Sequence, residues 1–246
     1  MPFPEWLIGL DLGQASDYTA LAIVERVIAA NNPDAKREGV YHLRHAERLP
    51  LGTSYPAIVR HVGDLLGRSE LTGLRTLLVD ATGVGRPVVD LLRQARLEPV
   101  PVVVHGGNET TTDANGFRRV PKRELVSTAQ VCLQGGRLKF AAALPVVQTL
   151  IDELLKFEVK ITATGHDTYG AWREGSHDDL VFALALATWY GERVAAGRAL
   201  QAANANGQPY QVAMREVPRP SKGNLLRDEW RKGVDPFTRK VTPGRA

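Results

Sequence analysis

The sequence holds a single cysteine, Cys132, in 246 residues. No disulfide framework and no cysteine-based zinc site can be built from it, so any metal is expected on oxygen or imidazole ligands. Long apolar runs are missing as well. None approaches the roughly 20 residues that cross a bilayer, and the opening MPFPEWLIGLDLG lacks a basic segment followed by an apolar stretch and a cleavage site. No membrane partner is expected, and the location expected is cytoplasmic. There is no internal repeat and no GxxxxGK(S/T) phosphate loop. A strong charge bias is also lacking, the net being +4 at neutral pH. The basic excess lies at the end, where residues 201–246 carry nine Lys or Arg against four Asp or Glu. That stretch also holds Pro209, Pro218, Pro220, Pro236 and Pro243 and shows little apolar periodicity, the pattern of a weakly structured tail. What remains is ordinary globular composition, 43% hydrophobic over the whole chain, enough to build a core.

Periodicity then orders the chain. WLIGLDLG reads as a buried strand ending near Asp11, TALAIVERV as a second strand, and VYHLRHAERL, beyond the polar turn NNPDAKREG, as a third, which makes an antiparallel meander. Ser54 is placed as the cap of a helix reaching about Gly67. LRTLLVDAT is a strand ending at Asp80, VGRPVVDLLRQARL a helix, and EPVPVVVHG a strand. Residues 106–119 read as a polar loop, and PKRELVSTAQVCLQGG as a helix with Pro at its start and Gly at its end. RLKF is a short strand, LPVVQTLIDELLKF an amphipathic helix, and EVKITATGHDTYGAWRE a hairpin. A last helix opens at SHDDLVFALALATW and closes the domain near residue 196. A meander followed by alternating helices and strands predicts an α/β fold, a mixed sheet with helices on both faces. In such sheets sites gather at strand ends and helix N-termini.

Three acidic positions fall at such places. Asp11 ends the first strand, Asp80 ends the fourth, and Asp178 and Asp179 precede eight consecutive apolar residues. Each has a structural reading of its own: a turn before Gly13, a cap for the helix that follows, and a helix N-cap favoured by the macrodipole. The functional reading is that the fold draws them together around a cation, because a carboxylate at the edge of a core is costly unless paired, hydrogen-bonded or metal-bound. Their own motifs contain no nearby Lys or Arg to pair with them.

GLDLGQASDYTALAIV, LLVDATGVGRPVVDLL, PKRELV and SHDDLVFALALATW, in this order, resemble the nuclease domain of the large terminase subunit of tailed bacteriophages, over residues 6 to about 195. The resemblance implies a ribonuclease H-like fold related to RuvC-type resolvases, and a metal-dependent endonuclease that cleaves concatemeric viral DNA in the host cytoplasm. It implies Asp11, Asp80 and Asp179 as ligands of Mg²⁺ or Mn²⁺, two ions, with Asp178 as a neighbour that can share the site. Relatives often carry a further acid one helical turn on, where this chain has Phe182. The partners implied are double-stranded DNA, the terminase ATPase domain, which this sequence lacks, the portal and the small terminase subunit. The chain is thus expected to be the nuclease portion of a longer protein, with residues 1–198 as the nuclease domain and 199–246 as the basic tail.

The chemistry agrees with that assignment. Phosphodiester hydrolysis needs an activated water and neutralised charge, which two hard cations about 3.5–4 Å apart can supply. Carboxylates suffice to hold Mg²⁺, since it keeps several of its waters. Arg118 and Arg119 at the end of the polar loop, Lys122 and Arg123 at the start of the next helix, and His177 beside the paired carboxylates are candidate DNA contacts; the alternative for each is a solvated surface. Asp17 is read as a turn residue, and Gly83 and Gly85 do not have dinucleotide spacing. The competing readings are a RuvC-like structure-specific resolvase, a nucleotide-binding protein of the actin and sugar-kinase type, and a non-catalytic DNA-binding or docking module. The tail carries Leu225, Leu226, Trp230 and Phe237, which favours docking over simple tethering of DNA.

Overall fold

The computed structural model describes residues 5–13, 17–28, 39–83, 85–156 and 178–195. The hairpin turn near residues 31–38, the hairpin expected at 158–174, His177 and the tail at 199–246 lie outside the described residues.

Eight strands form one sheet: β1 (Glu5–Asp11), β2 (Ala20–Ile28), β3 (Gly39–Arg48), β4 (Leu74–Asp80), β5 (Pro99–His105), β6 (Thr111–Thr112), β7 (Arg118–Pro121) and β8 (Leu138–Phe140). Their order is β6-β7-β5-β4-β1-β2-β3-β8. The meander β1-β2-β3 is antiparallel, while β4, β5 and β7 extend it in parallel from β1, and β8 joins β3 in parallel. The mixed sheet expected from the sequence is therefore present.

Helices α1 (Tyr55–Leu66) and α2 (Gly85–Gln94) cover one face, where Ile58, Val62, Val88 and Leu92 pack on Trp6, Ile8 and Leu10. The other face carries α3 (Lys122–Gln134), α4 (Val147–Lys156) and α5 (Asp179–Tyr190) over Leu7, Ala20, Ala22, Val24 and Leu78. Alternation along β1 sends even residues to α1 and α2 and odd residues to α5, so Leu7, Gly9 and Asp11 share the α5 face. Every residue of α5 is buried, as a helix apolar all round must be. It lies close on β1, since a Cβ on Gly9 would stand 1.8 Å from the Ala183 carbonyl oxygen. Beyond α5 the chain continues in one π-helical turn, Gly191–Ala195.

One local reading needs correction. The polar segment 106–119 is not all loop: Thr111–Thr112 pairs antiparallel with the start of β7. Asp113 closes the turn between them, its carboxylate accepting from the Asn115 and Phe117 amides while Gly116 takes a φ of 82°. Arg118 and Arg119 consequently sit on a strand of the main sheet. The strand expected from VYHLRHAERL is present as β3, but its inward-facing residues change parity part-way along. A bulge opposite Ile23 and Val24 reverses the parity, so that Tyr41, Leu43 and Ala46 face α5. His45 and Glu47 turn to α1 instead, where Glu47 Oε1 stands 2.7 Å from His61 Nε2. Arg48 is carried to the α5 face by the same shift.

Candidate active site

Strand pairing brings two of the predicted acids side by side. Asp11 and Asp80 are register partners on the parallel pair β1 and β4, and both point to the α5 face. The sheet row through them continues to Ala20 and Arg48 on one side and to Val102 and Arg118 on the other. Asp80 is buried, and its Oδ1 accepts the Thr82 amide at 2.7 Å, which fixes the carboxylate where the strand ends. The Thr82 hydroxyl in turn accepts the Val104 amide, tying that end to β5. On β1 the chain turns at Gly13, whose amide donates to Thr19 Oγ1 at 3.1 Å. A Cβ there would meet the Asp17 carbonyl oxygen at 2.2 Å, so the turn requires glycine.

Asp179 reaches the same end of the sheet from above, because α5 begins one helical turn before its contact with Gly9. It is buried, and its Oδ2 lies 3.3 Å from the Arg48 guanidinium. Asp178 occupies the N-cap position, yet its carboxylate does not cap the helix; it stands 4.0 Å from Lys122 Nζ. No Lys or Arg stands next to these acids in the sequence, but the fold supplies two cations from β3 and α3. Among the described residues no three carboxylate, imidazole or thiol groups close into a metal-ligand cluster. The acids at this sheet end come from three elements and offer only carboxylate oxygens, a chemistry that suits a hard divalent cation.

Two side chains of this site were not predicted from the sequence. Glu153 of α4 is buried; its Oε1 lies 2.5 Å from Arg48 and its Oε2 accepts the Val181 amide at 3.1 Å. It thus satisfies one of the open amides at the start of α5 from another helix. Burial pushes its carboxyl up to about 7, with Asp179 and Asp178 adding to the rise against the Val181 amide and Arg48. Arg48 also lies over the Tyr18 ring, 5.0 Å from its centroid. The signal for Glu153 was a carboxylate three residues after the buried Leu150 on an amphipathic helix; Arg48 gave none, because the bulge that turns it inward has no sequence mark.

Of the predicted DNA contacts, Arg119 and Arg123 are exposed, and Arg118 is partly buried with its guanidinium over Tyr190. Lys122 points into the site, with Nζ 4.6 Å from the centroid of Phe182. Phe182, one helical turn beyond Asp178, is thus an aromatic that receives a cation.

A mixed sheet with an antiparallel meander, parallel extension and helices on both faces, with acids at the strand ends, is the ribonuclease H-like class. Within it, the fold matches that of large terminase nucleases. The large terminase nuclease from thermophilic phage G20c, in a crystal structure with bound magnesium, superposes with a TM-score of 0.52 at 22% identity, covering 76% of this chain and 82% of that one. The HK97 bacteriophage large terminase gives 0.51 at 15% identity, over 76% of this chain and 40% of that one. In sequence the chain is 25% identical over 182 residues to the terminase large subunit of Thermus phage G20c. That alignment takes in 74% of this chain and spans about a third of the relative's length (31%). No protein-family model matches the chain. No helix among the described residues is long and apolar enough to cross a membrane.

Proposed function

We propose that this chain is the nuclease portion of a viral genome-packaging terminase, a divalent-metal-dependent endonuclease that cuts double-stranded DNA with little sequence preference. The observation that carries this reading is the Asp11–Asp80 register pair at the end of the sheet, with buried Asp179 at the start of the helix packed across it. The bound magnesium of the G20c nuclease supports the choice of cation. When bound, Mg²⁺ or Mn²⁺, as two ions, supplies the activated water and the neutralisation of charge on the phosphate and leaving oxygen.

The chain's own residues have separate tasks. Asp11, Asp80 and Asp179 provide the oxygen donors, and Asp178 stands at the rim as a fourth carboxylate. The Thr82 amide holds Asp80 in one orientation, so that donor is set before substrate arrives. Arg118 lies two strands from Asp80 on the same row, about 10 Å away at the backbone at normal strand spacing, and its side chain, now over Tyr190, would have to swing toward the acids to meet a phosphate there. Arg119 and Arg123, both exposed, position the duplex without reading its sequence; His177, a further candidate from the sequence, lies outside the described residues. Residues 1–198 constitute the nuclease domain, while 199–246 dock on the packaging machinery, whose other members are the ATPase domain, the portal and the small subunit.

Crystals soaked in Mn²⁺ test the assignment. Anomalous density between Asp11, Asp80 and Asp179 is expected; an empty site at high Mn²⁺ would point instead to a non-catalytic docking module.

A further inference from the structure

We propose that Arg48 and Glu153 form a positioning pair for this site, in which Arg48 holds the Asp179 carboxylate until a divalent cation displaces it and Glu153 keeps Arg48 when it is displaced. The inference rests on the nuclease reading above and deepens it. The Arg48 guanidinium stands 3.3 Å from Asp179 Oδ2. Its tighter contact is with Glu153, at 2.5 Å. The Tyr18 ring flanks the guanidinium at 5.0 Å. One planar group thus has three supports; of its two carboxylate partners Asp179 is the more distant and the one assigned to the metal.

The physical need is clear from burial. Asp179 and Glu153 are both buried at the start of α5, beside Asp178, and buried like charges require a compensating cation. Arg48 provides that charge in the absence of metal. A divalent ion brought to Asp179 meets this guanidinium as a competitor for the same oxygen, and at effective dielectric constants near 20 a charge a few ångströms away costs several kT. Arg48 does not have to leave the protein to yield: Glu153 is fixed at its second oxygen by the Val181 amide, so it remains as an anchored acceptor. Metal affinity is thereby set by how strongly Glu153 draws Arg48 from Asp179.

The test is calorimetric titration of the full chain with Mn²⁺, on wild type and on R48Q, R48K and E153Q, with Asp80→Asn as a control. Removing Arg48 should tighten Mn²⁺ binding about tenfold. Arg48→Lys should tighten it as well, because a single ammonium engages Glu153 and releases Asp179, although the net charge is unchanged. Glu153→Gln should weaken binding about tenfold, since Arg48 is left with Asp179 as its charged acceptor. Tighter binding is not an effect that damage to the scaffold produces, and melting curves establish that each variant is folded. If R48Q does not fold, the conservative R48K and E153Q decide. Binding by R48K equal to wild type would overturn the proposal in favour of a simple field effect, and weaker binding in every variant would overturn it in favour of a scaffold role. Mn²⁺ binding by wild type that is lost in Asp80→Asn preserves the nuclease reading in both cases, whereas no binding by wild type overturns that reading and this proposal together.

Discussion

Asp11 and Asp80 are register partners at the ends of two neighbouring parallel strands, and they face the helix that carries Asp179. Two carboxylates on adjacent strands lie about 5 Å apart at the backbone, a spacing that repulsion would punish unless positive charge is brought between them. The sheet fixes this proximity; no side-chain rearrangement can undo it. The site is therefore a property of the β1–β4 pairing, and what disturbs that pairing or the helix above it should disturb the chemistry.

Gly9 is where the helix and the strand touch. Gly9→Ala would drive a Cβ into the Ala183 carbonyl oxygen, backbone against backbone, so α5 has to shift. A loss of about 3 kcal/mol, at the upper end of overpacking costs, is expected in urea unfolding. Cleavage should fall with it, because Asp179 moves with the helix. An unchanged midpoint would mean that α5 does not rest on β1 at this point.

Adjacent carboxylates at the start of α5 should not be equivalent. Neighbouring residues point about 100° apart around a helix axis, and here Asp179 is buried against Arg48 while Asp178 faces Lys122. Asp179→Ala is expected to lower the cleavage rate about a hundredfold or more, as loss of metal stabilisation worth several kcal/mol implies. Asp178→Ala should cost far less. Equal residual rates would show that the two share the ligand position.

The far end of α5 gives a prediction in pH. Glu192 accepts from the Tyr41 hydroxyl at 2.6 Å and forms a two-bond pair with Arg137. Burial alone would raise its carboxyl, but the bonds from Arg137 and Tyr41 outweigh it and hold the group below its ordinary value of 4.5. A carboxyl lowered in the folded state stabilises the protein above its unfolded pKa, and this contribution fades as pH falls through the folded value. Glu192→Gln should therefore cost about 2 kcal/mol near pH 7, on the scale of charged hydrogen bonds, and the difference should shrink as the pH falls from the ordinary carboxyl range through the lowered folded value. The comparison is read from melting temperatures across that range, and a constant difference at all pH values would contradict it.

Most of the sheet was legible in the sequence because its signals are local. The apolar run before Asp11, the LLVD before the helix at 85–94, and the unbroken apolar stretch after Asp179 each announce an element and its end. Arg48 was not legible for the opposite reason: a bulge is set by how two strands pair, and a one-residue change of parity leaves no trace in either strand alone. Glu153 stood out only as a charge on an apolar stripe, a feature that often means nothing more than a helix edge. The short strand pair at 111–121 was hidden by its polar residues, since Asp113 and Gly116 supply turn chemistry that a loop would also use. The sequence led to the acids; the cations that hold them come from elements distant in the chain.

Asp80 is the residue whose loss separates a metal-holding nuclease site from a structural strand end. In a plasmid cleavage assay with Mg²⁺ or Mn²⁺, wild type should linearise and then degrade the DNA. Asp80→Asn, which keeps the side-chain volume and the oxygen that accepts the Thr82 amide, should leave the DNA intact while melting at close to the wild-type temperature. Cleavage by a folded Asp80→Asn at the wild-type rate would contradict the assignment of this strand end as the metal-holding nuclease site.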